Sequence, residues 1–502
     1  MNAAYVGLDI GTSGCKAAAF DDQGCLRGLA AAEYDLHLGA DGAAELDPAT
    51  VLARCRETVR AVATTADMPP IRGLGITCQG EAFTALDAEG RPLCRAMVSS
   101  DTRATEFVAS GVPGLSPERL YRLTGHTPHP MFTLYKLMWL RTRAPDIWRR
   151  AARLLCFEDL VQYRLGIEPA MGWPLAGRTM LFDVTRHAWS PEILAAVGVR
   201  PEQLARPLAS GSVAGVIPPE IAADWGLPPG VKVVTGGHDQ PCGALGAGVT
   251  MPGVAMYATG TVECITPAFA APVFTPELMR ANLCTYDHAA PGMYATVAFS
   301  LTGGNALKWF RDEFGQPEIQ AAAAAGDDDV YGRLLALAGD APSPLLCLPY
   351  LTPSGTPYFD TQTPGILYGL RLGTRRGEIL CALLEGVAFE MRLNVATLEA
   401  AGAPVRELRA IGGGAKSSLW NQLKADVLGK PITSLDVSEA GCRGVALLAC
   451  AADQNRPIAG LATQWVHSRA VFEPRPDRAA HYTERFRAYQ ALYAAAQRMP
   501  AR

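Results

Sequence analysis

The sequence predicts an α/β protein of two domains, built from one duplicated domain type. Three observations carry that reading. The chain has 502 residues, too many for one ordinary core. Strand-like and helix-like stretches alternate, separated by glycine turns. A ten-residue stretch also recurs. GTSGCKAAAF, from Gly11, and GTVECITPAF, from Gly260, carry glycine, threonine, cysteine, alanine and phenylalanine at matching offsets. The expected boundaries are residues 1–247 and 248–487, with 488–502 as a tail.

The elements follow in order. Residues 4–9, AYVGLD, are apolar and end at an acid. The turn GTSG, the run CKAAAF, the turn signal DDQG and the run LRGLAAAEY predict a three-stranded antiparallel meander. In DPATVLARCRETVRAVATTA, Asp47 is placed as an N-cap with Pro48 just inside it. AAAAAGDDDVYGRLLALAG reads as helix, polar loop, helix, with the acidic triplet from Asp327 in the solvated loop. GEILCALLEGVAFEMRLNVATLEAAG predicts a long, buried, domain-packing helix closed by Gly402, because apolar residues cover most of its surface. DRAAHYTERFRAYQALYAAAQRM predicts a terminal amphipathic helix with a structural role.

Composition excludes several classes of function. Hydrophobic residues make up 49% and charged residues 19%, a globular balance. A net charge of −4 argues against nucleic acid or an anionic membrane as the main partner. The 13 cysteines are scattered without a C-x-x-C pair, which predicts reduced thiols in a cytosolic protein. No metal-ligand spacing, secretory leader or membrane-spanning run is expected.

One stretch asks for chemistry. VTGGHDQPCGALGAG sets Asp239 in a glycine-rich, nearly uncharged run, where an acid needs a task or a partner. Three other stretches join it: GLDIGTSGCK, SLTGGNALKWFRDEFG and RAIGGGAKSSLWNQLKADVLGKPI. Glycine turns of this kind suit phosphate groups, since their exposed N–H groups can hydrogen-bond phosphate oxygens. Each is a weak signal alone, and all four in this order are a strong one.

Together they resemble the FGGY carbohydrate kinases, from residue 5 to about residue 485. The likeness is greatest to the branch acting on D-xylulose, through PMFTLYKLMWL, LPYLTPSGTPYFD and GGGAKSSLWNQLKADVLGKP. The resemblance implies a duplicated actin-like (ribonuclease H-like) ATPase fold with an interdomain cleft. The first domain would bind sugar and catalyse, and the second would bind nucleotide. ATP is the implied co-substrate and Mg²⁺ the implied metal. The implied reaction moves the γ-phosphate to a terminal hydroxyl of a ketopentose. It also implies a cytoplasmic homodimer with a small sugar or polyol as its partner.

Residue roles follow from the same resemblance. Asp239 is the implied general base. Asp9 is placed near Mg²⁺ through water, with Asp239 close by, since Mg²⁺ needs few carboxylates beside phosphates. Gly11, Thr12, Ser13 and Lys16 are implied at the γ-phosphate, and Gly260 with Thr261 at the second phosphate hairpin. Gly303, Gly304 and Lys308 match the segment beside the nucleotide, and Gly413, Gly414, Ala415 and Ser418 the adenosine segment. Glu263 stands where the family often has glycine, and is expected to point away from phosphate. Gln79, Gly80, Glu81, Asp101 and Gln240 are implied at the sugar. There the chain departs from the family: Gly80 and Glu81 replace methionine and histidine, and Ser99 replaces tryptophan. An ion pair with Arg103 is an equal alternative for Asp101. His238 is expected to face away from Asp239, as neighbours on an extended segment do, and to pack or orient. Two other readings stay open: a kinase for another polyol or sugar, and a non-catalytic nucleotide-binding regulator on the same fold.

Overall fold

The computed structural model describes residues 3–499 except 328 and 438. The expected meander is present. Ala4–Ile10, Gly14–Asp21 and Leu26–Glu33 pair antiparallel in sequence order. Ile71–Cys78 and Lys232–His238 extend the sheet in parallel beyond Ala4–Ile10, and Val213–Val216 closes its edge antiparallel.

A second sheet repeats this plan. Val254–Thr259 and Glu263–Phe269 form the hairpin, with Ala298–Ser300 beyond it. Glu407–Ile411 and Ile432–Leu435 add in parallel, and Ser468–Phe472 closes the edge antiparallel. Five strands follow the same order in both sheets; the edge strands differ, since Val213–Val216 precedes its neighbour in the chain and Ser468–Phe472 follows its own. The repeated hairpin is the visible part of a repeated domain, and the architecture is the duplicated actin-like α/β fold.

The helices obey their local signals. Asp47 caps Pro48–Ala63, its side chain accepting from the Thr50 N–H. Arg376–Ala400 is buried on nearly all sides. Pro476–Ala496 lays Tyr482, Phe486, Tyr489 and Tyr493 into the core that Arg376–Ala400 shares. This helix runs straight through position 487, so residues 488–496 are packed structure rather than a tail. Two turns of buried tyrosine require it. In the acidic triplet, Asp327 is exposed, Asp329 caps Val330–Ala338, and Asp328 lies outside the described residues.

One helix crosses between the halves. Ala440–Gln454 follows a strand of the second sheet but packs on the first, with Cys442, Val445 and Ala446 against Tyr5, Ala18 and Val234. Glycine makes the approach possible. A Cβ at Gly7 would lie 1.9 Å from Cys442 O, and one at Gly75 would lie 2.1 Å from Val445 O. Residues 440–465, read from sequence with the second half, thus complete the core of the first. All 13 cysteines are free. No described helix is long and apolar enough to cross a membrane.

Candidate active site

Asp9 and Asp239 come to one cleft from neighbouring parts of the first sheet. Asp9 is the penultimate residue of Ala4–Ile10, and Asp239 is the first residue of the helix Asp239–Gly246. Burial raises the pKa of Asp9 to about 6, opposed by Lys16 and reinforced by Glu439. Burial raises Asp239 further, to about 7, and the charges of Asp9 and Glu81 add to it. The Asp239 side chain is 28% exposed, so it faces the cleft while protein surrounds the rest of it. Its Oδ1 is buried beside His238 without a hydrogen-bond partner among the described residues, so the exposure of the side chain lies on its other atoms.

His238 does not turn away as expected. Its Nε2 lies 3.2 Å from Asp239 Oδ1, without hydrogen-bond alignment, and its Nδ1 lies 2.8 Å from Tyr286 Oη. The reason is local. The strand ends at His238 and a helix begins at Asp239, so the alternation of an extended chain stops between them. Burial and the nearby Arg178 hold the His238 pKa well below its usual value, so the ring stays neutral. The neutral ring keeps a single N–H and sits where it can orient the carboxylate, but it is not an imidazolium acid.

The first Gly-Thr hairpin is braced from behind. Gln79 was expected at the sugar, yet both ends of its amide serve the hairpin. Its Oε1 accepts from Thr12 Oγ1 at 2.9 Å and its Nε2 donates to Gly11 O at 3.1 Å. Ser13 is exposed. Lys16 donates to Glu439 at 2.8 Å, tying the hairpin to the start of the crossing helix.

The expected sugar end is more occupied than the sequence suggests. Glu81 is buried in a left-handed conformation, φ 65°. It contacts Arg178, and Ser99 Oγ donates to its Oε2 at 2.6 Å. Gly80 permits this packing: a Cβ there would lie 3.0 Å from His238 Cδ2 and 3.3 Å from Arg178 Nε. Asp101 is held by Arg103 at 2.6 Å and by the Ala44 N–H at 3.1 Å, so the ion-pair alternative is the one found. Gln240 keeps a buried Oε1 without a partner among the described residues. Sequence reasoning missed Arg178 and Tyr286. The signal for Arg178 was available: a lone cation in the apolar run WPLAGRTM poses the same question as Asp239 did.

The second half carries a cavity of about 810 Å³. Gly260, Thr261, Gly304, Lys308, Gly413 and Gly414 line it. Gly303, Ala415 and Ser418 are not among its lining residues. Gly303 lies under the turn with its N–H donating to Asn305 Oδ1 at 2.7 Å, and Ser417, the cap of Ser418–Leu428, faces the cavity in place of Ser418. Asn305, Tyr331 and Trp420 complete the walls. Glu263 points away, as expected, into a buried ion pair with Lys424 at 2.5 Å. The arrangement thus offers a glycine-walled cavity, two Gly-Thr hairpins, and a partly exposed carboxyl of raised pKa.

Comparison with known proteins agrees with this geometry. The sequence model of the FGGY family of carbohydrate kinases matches with its N-terminal domain over residues 4–246 and its C-terminal domain over residues 255–452. The chain is 28% identical to a xylulose kinase of Escherichia coli K12, over 97% of this chain and 98% of that one. It is 25% identical to a gluconokinase of Bacillus licheniformis, over 96% and 94%. Among solved structures, a xylulose kinase from Rhodospirillum rubrum superposes with a TM-score of 0.88 at 28% identity, covering 98% of both chains.

Proposed function

We propose that this chain, which belongs to the FGGY family of carbohydrate kinases, transfers the γ-phosphoryl group of ATP to the terminal hydroxyl of D-xylulose. The observation that carries the reading is Asp239, a partly exposed carboxyl whose pKa is raised to about 7. A general base works best with its pKa near the working pH. Asp239 accepts the proton of the sugar hydroxyl as that oxygen bonds to the γ-phosphorus. The bond from the γ-phosphorus to the β-γ bridging oxygen breaks, and ADP leaves. Neutral His238 holds the carboxylate in place without competing for the proton.

Phosphoryl transfer asks mostly for positioning and charge neutralisation. The cavity behind Gly413 and Gly414 fits the adenosine, and the two Gly-Thr hairpins fit the phosphates. Asp9 and Asp239 would hold Mg²⁺. No cluster of three ligating side chains exists among the described residues. Two carboxylates still fit this ion, because Mg²⁺ fills most positions with water and phosphate oxygens. When bound, it neutralises charge on the transferring phosphoryl group.

D-xylulose is supported by the likeness to xylulose kinases. A second reading, a sugar acid or another polyol, is favoured by Arg178, a buried guanidinium whose Nε has no partner among the described residues, and by the gluconokinase relative. ADP release with Mg-ATP, across D-xylulose, L-xylulose, ribulose, glycerol, erythritol and gluconate, separates them. Turnover confined to gluconate or a polyol would sink the xylulose assignment. Nucleotide binding with no turnover on any sugar would favour a regulator.

A further inference from the structure

The strand that delivers Asp239 is irregular just before it. Lys232–His238 pairs in parallel with Ile71–Cys78, but Thr235 lies opposite Ile76 and Gly237 opposite Thr77, so Gly236 is one residue extra. Such a bulge re-aims the side chains that follow it. One extra residue also reverses the face that each later side chain takes, so this bulge decides how His238 and Asp239 leave the strand. Glycine is required here: a Cβ at Gly236 would lie 2.2 Å from Ile76 O, and Gly237 sits at φ 120°.

A bulge takes its own N–H out of the ladder, and a buried N–H needs another acceptor. The acceptor is Glu158, on the helix Phe157–Arg164. Its Oε1 accepts from the Gly236 N–H at 2.9 Å, and its Oε2 from the Gly172 N–H at 3.0 Å, at the end of Ala170–Gly172. Glu158 is 0% exposed. Burial raises its pKa to about 8, and the two N–H groups oppose the rise. Both oxygens face donors, so the ionised form is the one that satisfies both bonds. Two hydroxyls hold the carbonyl side of the same turn: Ser210 Oγ donates to Gly236 O at 2.6 Å, and Thr77 Oγ1 to Gly237 O at 2.8 Å. Burying a carboxylate is costly, and an apolar side chain would pack a helix against this sheet without that cost. The acid is there for two N–H groups, and one of them belongs to the bulge.

We propose that Glu158 is a positioning residue for phosphoryl transfer: it holds the bulge at Gly236 and thereby aims the Asp239 carboxylate at the sugar hydroxyl. The inference rests on the reading of Asp239 as the general base, and on no particular sugar. Being wholly buried, Glu158 acts on the reaction only through the strand it braces. The leverage is large, because a reacting group misplaced by about 1 Å costs about 10²-fold in rate.

The test is a double-mutant cycle on ADP release, with Mg-ATP and the sugar of the panel that turns over fastest. It is run at about pH 8.5, above the pKa of both carboxyls. Glu158→Gln keeps the shape but turns one acceptor into an NH₂ that faces a backbone N–H. It should lower kcat about 10- to 100-fold and leave the ADP Kd unchanged. In the Asp239→Asn background the same change should lower kcat by less than about twofold, since the group it aims is gone. A merely structural role would lower kcat by the same factor in both backgrounds, and that result overturns the proposal. So does a Glu158→Gln kcat within about twofold of wild type. Thr77→Val keeps the test decisive should Glu158→Gln fold poorly: it removes the hydroxyl bond to Gly237 O with little change of shape. It should lower kcat about three- to tenfold in wild type and not beside Asp239→Asn, and equal losses in both overturn the proposal. A near-wild-type kcat for Asp239→Asn is a separate failure: it overturns the general-base reading, and this inference with it.

Discussion

Asp239→Asn isolates the proton acceptor from the rest of the cleft. The amide has the same shape, so the contacts to the helix Asp239–Gly246 and to His238 survive. What disappears is a partly exposed carboxylate with a pKa of about 7. A positioned general base contributes about 10²–10⁴ in rate, and that is the expected fall in kcat. ADP affinity should change little, because the cavity lined by Gly304, Lys308 and Gly414 belongs to the other half. The pH profile gives an independent reading. In wild type, kcat/KM should fall about tenfold per unit below the Asp239 pKa, as the base becomes protonated. Asp9→Asn removes a like charge that helps raise that pKa, so the acidic limb should move to lower pH. The assay is coupled ADP release from pH 5 to 9 (about four units), beside calorimetric titration with ADP. If Asp239→Asn keeps more than about a tenth of wild-type kcat, or keeps the acidic limb unchanged, the base lies elsewhere.

Three further predictions rest on buried charge. Arg178→Met strands Glu81, whose side chain is 2% exposed, and should cost about 3–5 kcal/mol in urea unfolding while raising the sugar KM more than the ADP Kd; an unchanged midpoint would mean the pair is solvated in solution. Lys424→Met should cost a similar ~3–5 kcal/mol by leaving Glu263 unpaired, and the double change with Glu263→Leu should recover most of it, since a buried pair can be replaced by apolar residues of like volume. Glu390 accepts from Tyr350 and Tyr489 on one oxygen, its other oxygen has no partner among the described residues, and burial raises its pKa from 4.5 to about 7. Its folded state therefore favours the proton: the stability it contributes is full below about pH 4.5 and is lost as pH rises to about 7. Glu390→Gln should flatten that part of the urea midpoint against pH, and parallel curves for the two proteins would refute it.

The fold was legible because its signals are local. Each half opens with a Gly-Thr hairpin, and a hairpin needs only neighbouring residues to form, so the repeat at Gly11 and Gly260 carried the architecture. The lining of the cavity in the second half was legible for the same reason, since much of it comes from short glycine turns. What stayed hidden depends on distant partners. Nothing around Glu81 announces Arg178, which lies 97 positions away and becomes a neighbour only when the helix Trp173–Arg178 packs beside the sheet. The place of the crossing helix was hidden likewise, because it reaches the first sheet only through the missing side chains of Gly7 and Gly75. His238 failed for a different reason: one residue of offset in a strand end decides whether two neighbours diverge or converge. These cases share a physical cause. Charge in an apolar run is visible in a sequence, and it signals that a partner must exist, because an unpaired buried charge is not tolerated. The partner's identity is a property of the packing. Asp239 and Arg178 posed the same puzzle in the sequence, and packing answered them in opposite ways, one with a partly exposed carboxyl at the cleft and one with an ion pair at its wall.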